Sequence, residues 1–276
     1  MPNSPMNNVI LASHGTDNPI GAGLIADLVR EVQNRLPQQR VWETFVDVQH
    51  PQITEVLAQA VTEIPGVIST VVPLLLSTGY HVRQDITDAV LEVHEAAGTD
   101  PEILVTPALG PSSELIGLLY QRLRETGWNP DDIAVLAVAG SSDSAAVDEC
   151  RLVHLILTEA IQSQHPTAQV ELAFLSAVEP KLKDLVPKLK FQNPRKRVVV
   201  ANYLLAPGFF NDLANRAGAH LVAQPLLAPD QPPAEQLVQI VIRRITEALD
   251  EEGQLGCTKP ADSDFSCAVG CASPCR

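Results

Sequence analysis

Three polar side chains in the first half of the chain fall where a strand is expected to end. His14 stands in VILASHGTD, Asp47 in TFVDV and His81 in VVPLLLSTGYHVRQD, each after an apolar run. Two imidazoles and a carboxylate suit a first-row metal ion held with positions left open. Neutral imidazole near pH 7 also accepts protons from a substrate. Taken singly, each residue has a plainer use: a histidine hydrogen-bonded in a loop, an aspartate capping a helix. Placement at equivalent strand ends, with a glycine close to each histidine, is what makes them candidates. His50, His94, His154, His165 and His220 lack that placement, and His94 and His154 fall inside helical patterns.

Chemistry at these positions requires three neighbouring strands. Apolar runs predict strands at Val9–Ser13, Val41–Val46, Val67–Leu75 and Glu102–Thr106, alternating with helices at Ile20–Leu36, Ile53–Ile64, Ile86–Ala97 and Glu114–Thr126. The series then restarts. Strands are expected at Ile133–Ala139, Val170–Leu175, Arg197–Leu204 and His220–Ala223, with helices at Ala145–Gln162, Leu182–Leu189, Asp212–Ala217 and Glu235–Asp250. Strict alternation implies parallel sheets covered by helices on both faces. In such sheets adjacent strands lie about 4.8 Å apart and ligands bind beyond their carboxyl ends. Three adjacent strand ends would then surround one small cavity.

The restart is visible in residues as well as in pattern. WETFVDVQHPQI (42–53) resembles VELAFLSAVEPKL (170–182), and VVPLLLSTGYHVRQD (71–85) lines up with VVANYLLAPGFFNDL (199–213) through a shared glycine. TPALGPSSELIGLLYQRLRET (106–126) resembles AQPLLAPDQPPAEQLVQIVIRRITEAL (223–249). The expected organisation is two similar α/β units, 1–126 and 127–252, joined at the turn-rich TGWNPDD (126–132), and a cysteine-rich tail at 253–276. The second unit is degenerate: Ala139 takes the place of His14, Ser176 that of Asp47 and Phe210 that of His81. One copy of the fold manages without the three polar groups, so the fold does not require them. This predicts one active site, built mainly by residues 1–126 and roofed by the second half.

Composition narrows the partners. The 276 residues carry a formal net charge of −14 and are 45% hydrophobic. A surface of that sign repels phosphates, which argues against nucleic acid. The one basic cluster, KLKDLVPKLKFQNPRKR (181–197), reads as a solvated helix face and loop. The start, MPNSPMNNVILASHG, has no basic segment leading into an apolar one, and no apolar run is long enough for a membrane span, so the expectation is a soluble, cytoplasmic protein without a membrane partner. Four of the five cysteines crowd into the last twenty residues, unlike a secreted disulfide scaffold, and Cys150 reads as buried.

SHGT, FVDVQHP and VPLLLSTGYHVRQDI together resemble the class II tetrapyrrole chelatases of the sirohydrochlorin branch, in the long, two-repeat form. The usual patterns there are AHGS, FLE…P and VPLFLxxGxHVxxDI, and the last match is long and specific. The resemblance covers the first half strongly, the second as a degenerate repeat, and the tail not at all. It implies a chelatase-like fold and insertion of a divalent metal into sirohydrochlorin with release of two protons. Fe²⁺, giving siroheme, is the expected metal, and Co²⁺ for cobalamin is the alternative. It implies His14 and His81 as metal ligands and proton acceptors, with Asp47 as acidic partner where the family usually has Glu. His50 stands where the family often has Glu before the proline. The substrate carries eight carboxylates, for which Ser77, Thr78, Gly79, Arg83 and the start of the following helix are candidate donors. Cys257, Cys267, Cys271 and Cys275 are enough thiolates for an iron–sulfur cluster, although C-x9-C-x3-C-x3-C is not a standard spacing. Two fused halves are compatible with a monomer, and the oligomeric state is otherwise open.

Three rival readings differ in testable ways. SHG superficially resembles the RHG of histidine phosphatases, but Ser13 stands where that chemistry needs an arginine. ASHGTDNPIGAG lacks the G-x-G-x-x-G spacing of a dinucleotide site. A carrier that binds tetrapyrrole or metal without turnover would share the chelatase's ligands and differ only in catalysis.

Overall fold

The computed structural model describes residues 6–77, 79–98 and 100–255, with the backbone alone described at 80–83 and 251–255. The elements alternate throughout: β1 (Asn8–Ser13), α1 (Pro19–Arg35), β2 (Arg40–Phe45), α2 (Ile53–Glu63), β3 (Ser69–Pro73), α3 (Tyr80–Ala97), β4 (Ile103–Val105), α4 (Ser113–Glu125). Then follow β5 (Ile133–Val138), α5 (Ser144–Gln162), β6 (Gln169–Phe174), α6 (Leu182–Gln192), β7 (Val198–Tyr203), α7 (Phe209–Arg216), β8 (Leu221–Val222) and α8 (Glu235–Leu255). They build two four-stranded sheets of order β2-β1-β3-β4 and β6-β5-β7-β8, with parallel pairing throughout. The α/β alternation expected from the apolar runs is therefore observed. The main departures are α3 and α7, which begin at Tyr80 and Phe209, several residues before the apolar periodicity starts. His81 and Arg83 thus lie in the first turn of α3 and not in a loop.

Burial on both faces explains the strand sequences. All six residues of β1 (NVILAS) and of β5 (IAVLAV) are buried, as central parallel strands require. Side chains alternate: Val9 and Leu11 enter one core, Ile10 and Ala12 another. The first of these cores is shared. It joins the inner faces of both sheets through α1, α4, α5 and α8, represented by Leu28, Leu119, Leu157 and Val241. α2 and α3 cover the outer face of the first sheet, and α6 and α7 that of the second. The inner helices cross over. α4, which follows the first sheet in the chain, packs on β7 of the second, and α8 packs on β3 of the first. Glu114 of α4 meets Arg243 of α8 there, and that arginine holds the carboxyl well down, to about 2.

The segment joining the two halves is fixed in place. Trp128 is buried between Tyr120 and His165, with ring centroids 6.1 and 5.9 Å away. Arg197, just before β7, grips Asp132 through two hydrogen bonds of 2.9 and 2.6 Å and also donates to the Gly127 carbonyl at 2.9 Å. Cys150 is buried, and burial pushes its thiol up to about 11. No helix among the described residues is long and apolar enough to cross a membrane. Cys257, Cys267, Cys271 and Cys275 lie outside the described residues, as does Thr78.

Burial alone would raise the Asp132 carboxyl, but the Arg197 guanidinium and the Asn129 amide hold it below the ordinary aspartate value. A depressed carboxyl stabilises the fold above its unfolded pKa of about 4 and loses that contribution as pH falls through the lower folded value. Asp132→Asn is expected to cost about 1–3 kcal/mol at pH 7. In urea titrations, the gap between wild type and variant should stay constant from pH 7 to about 5 and shrink below about 4. A gap that does not change with pH would contradict this role.

Candidate functional site

The order β2-β1-β3 places the chain reversal of the first sheet between β1 and β3, and β6-β5-β7 does the same in the second. Crevices at such switch points, outside the strand carboxyl ends, are where open α/β sheets bind ligands. Here the crevices of both sheets open into one cavity of about 790 Å³. Its walls are residues 13–19, 48–49 and 74–77 from the first half and 138–141 and 203–212 from the second, with Ile25 and Cys150 below. The second half supplies a full wall, more than the roof expected from sequence.

Backbone contacts hold the loop bearing His14. Beyond the sheet, the Val46 amide donates to the Ser13 carbonyl at 2.9 Å and the Asp47 amide to the His14 carbonyl at 3.1 Å. Gly15 has φ +91°, and a Cβ there would lie 2.6 Å from the Asp47 carbonyl oxygen, so only glycine fits. Val48 also adopts positive φ, 56°, which is unusual for a β-branched residue, and it lines the cavity. Gln49 reaches back to accept from the Thr16 amide at 2.8 Å, while Asn18 caps α1 through the Ile20 and Gly21 amides, each at 3.0 Å. The His14 imidazole is exposed in the cavity wall and has no hydrogen-bond partner among the described residues.

The other candidates are placed differently. Ser77 lines the cavity, and Gly79 is the N-cap of α3 with no side-chain capping bond. His81 and Arg83 occupy the first turn of that helix; their side chains lie outside the described residues. Asp47 is tied to His14 through the backbone, but its exposed side chain is not part of the cavity wall; Val48 and Gln49 take that place. His50 faces Glu55 at 3.4 Å at the start of α2, away from the cavity. Sequence reasoning gave no role to Ser13 and Tyr203, which line the cavity and whose buried hydroxyls have no hydrogen-bond partner among the described residues. Burial raises the Tyr203 phenol, which stays protonated. The signal available in sequence was a polar atom at a core position of a strand. Among the described residues no lysine or arginine lines the cavity, and no three His, Cys, Asp or Glu side chains converge as metal ligands.

The second half repeats this backbone without its polar side chains. Gly140 has φ +88°, with the Ser176 carbonyl 2.3 Å from an added Cβ, and Ala177 has φ 58°. The Ser176 amide donates to the Ala139 carbonyl at 2.9 Å, as Asp47 does to His14. The pairs Ile10↔Val71 and Val135↔Val200 set the register that brings Gly208, the N-cap of α7, to the place of Gly79. Ala139, Ser176 and Phe210 therefore occupy the positions of His14, Asp47 and His81.

The walls meet through glycines. A Cβ on Gly21 would lie 2.0 Å from the Pro207 carbonyl oxygen, and one on Gly208 would lie 3.1 Å from Thr16 Oγ1. Gly23, in the same helix as Gly21, has nothing within 4 Å. Opposite effects are expected from one substitution at the two sites. Gly23→Ala should stabilise by about 0.5–1 kcal/mol through helix propensity, whereas Gly21→Ala should destabilise by about 1–3 kcal/mol through overpacking. Urea midpoints shifting the same way for both would contradict the close approach.

Comparison with known proteins agrees with this two-unit fold. A family model described as CbiX matches residues 8–126 and again 134–248, once for each half. A sirohydrochlorin ferrochelatase of Priestia megaterium is 26% identical over 207 residues, 74% of each chain. Among solved structures, SirB from Bacillus subtilis with Fe³⁺ superposes with a TM-score of 0.74 at 21% identity, covering 90% of this chain and 98% of that one. SirB from Bacillus subtilis subspecies spizizenii in complex with cobalt gives a TM-score of 0.71 at 17% identity, with the same coverage of 90% and 98%. At these identities the structures speak to the fold.

Proposed function

The chain belongs to the CbiX family, and from that premise we propose that it is a sirohydrochlorin chelatase that inserts Fe²⁺ into the macrocycle with release of two protons. The observation that carries the reading is the His14 imidazole. It has no partner among the described residues, it stands in the wall of a cavity of about 790 Å³ between two sheets, and the repeated half replaces it with Ala139. That volume is within the range of about 300–1,000 Å³ typical of small-molecule sites.

The chemistry follows from the residue types. The incoming metal is substrate and must shed its own ligands before entering the ring. An imidazole with open positions beside it binds the ion without enclosing it. As the metal leaves, the freed nitrogen can accept a proton from a pyrrole N–H, so one group serves both steps. In this reading His81, on the first turn of α3, is the second such group. Asp47, outside the cavity wall, serves at its mouth as a proton acceptor and not as a ligand. Carboxylates of the macrocycle are met by Ser77, by Arg83 and by the starts of α3 and α7, whose first-turn amides have no side-chain cap. SirB structures with Fe³⁺ and with cobalt support either metal as cargo. The four tail cysteines are proposed as ligands of an iron–sulfur cluster on their number alone.

The test is an anaerobic absorbance assay in which sirohydrochlorin is mixed with Fe²⁺ or Co²⁺. Wild type should metallate many equivalents per protein. His14→Ala should lower kcat about 10²–10⁴-fold with an unchanged circular dichroism spectrum. Rates no better than the spontaneous reaction, with macrocycle binding retained, would overturn catalysis and leave a carrier.

A further inference from the structure

We propose that Phe209 and Phe210, at the start of α7 in the degenerate half, form the wall on which a face of the tetrapyrrole macrocycle stacks. The inference rests on the chelatase reading and adds to it the surface that binds the ring. Both residues line the cavity. Phe209 is 71% exposed although it belongs to a chain with only six phenylalanines. The two rings pair edge to face, with centroids 5.6 Å apart and planes at 64°. Such a pair presents a stiff apolar corner with few rotatable bonds. Exposure alone is not the argument, because Phe191 of α6 is 88% exposed and lies outside the cavity.

The position of the pair gives it a purpose. Pro207 lies against Gly21, and Gly208 against Thr16, two residues beyond His14. The start of α7 is therefore fixed to the loop that carries the imidazole. A flat ring resting on Phe209 and Phe210 would have His14 within the same cavity. By the internal repeat, the two phenylalanines occupy the places of Tyr80 and His81. The second half has thus exchanged an ionisable position for an apolar one at the point where the two walls face each other.

Electrostatics favours this mode of binding. The net charge is −14 and the described lining holds no lysine or arginine, so the carboxylate contacts proposed above work against the protein's overall field and an uncharged surface for the ring complements them. Dispersion and apolar burial against an aromatic face do not depend on charge, and stacking of a π-face on such side chains is worth roughly 1–3 kcal/mol per contact in other systems, or about 5- to 150-fold in affinity.

The experiment is a fluorescence titration of metal-free sirohydrochlorin into the full-length chain, run at low and high salt. Phe209→Ala and the double variant Phe209→Ala/Phe210→Ala are compared with Phe191→Ala as control. Phe209→Ala should raise Kd at least about fivefold at both salt concentrations, the double variant more, and Phe191→Ala should match wild type. In turnover, Phe209→Ala should raise KM and leave kcat within about threefold. A Phe209→Ala protein that binds like wild type, or a Phe191→Ala protein that loses as much, would overturn the proposal. Because Phe209 is exposed, its truncation leaves the core intact. If wild type binds the macrocycle without metallating it, the chelatase reading fails while the titration still decides the wall.

Discussion

Both sheets bury their inner faces against the same four helices, and the location of the cavity follows from that shared core. Leu28, Leu119, Leu157 and Val241 belong to one continuous cluster. An α/β sheet normally completes its inner layer from its own crossovers. Here the chain places α4 on the opposite sheet and brings α8 back to the first. Neither sheet is covered without a helix from the other half of the chain. The carboxyl ends of β1 and β3 are consequently held opposite those of β5 and β7, and the two crevices merge into one.

The duplication separates what folding needs from what chemistry needs. Gly15 and Gly140 both carry positive φ, and in each half the carbonyl of a residue just beyond the neighbouring strand, Asp47 or Ser176, occupies the space a Cβ would fill. Val48 and Ala177 both sit in the left-handed region, which costs a non-glycine residue energy in either copy. These features recur because the strand ends must be stitched together. The side chains hung on that frame do not recur. His14, Asp47 and His81 have no counterparts at Ala139, Ser176 and Phe210. A feature kept in both halves belongs to the frame, and one kept in a single half is free to serve the substrate.

Much of this was legible in sequence because apolar runs and their spacing directly report burial. The alternation of strands and helices, the repeat and the strand-end placement of His14 all followed from patterns of period two and 3.6. What escaped depends on three-dimensional contact. α3 and α7 start earlier than expected, at Tyr80 and Phe209, because their first turns precede the apolar periodicity; that of α7 lines the cavity. Asp47 follows β2 as expected, yet the positive φ of Val48 turns the chain so that Val48 and Gln49, and not the carboxylate, reach the cavity. The crossing of α4 and α8 could not be read from hydrophobic pattern, since either sheet would accept the same apolar face. The tail cysteines fall outside the described residues, so their spacing remains a property of sequence alone.

The crossover also explains why a degenerate half persists. If each unit covered its own sheet, loss of the polar residues from one copy would leave a dispensable domain. With α8 packed on β3 and α4 on β7, removal of the second half would expose the inner face of the first. The second half is thus retained for stability whatever its surface does, and its cavity-facing loops are free to change. They carry Phe210 where the first half has His81, and Ala139 where it has His14. Two identical polar walls would place two sets of metal-binding imidazoles around one ring, and a flat macrocycle can receive only one ion at its centre. In the proposed reading, with an imidazole on one wall and aromatic rings on the other, the first wall delivers the metal and the second holds the ring still while it arrives.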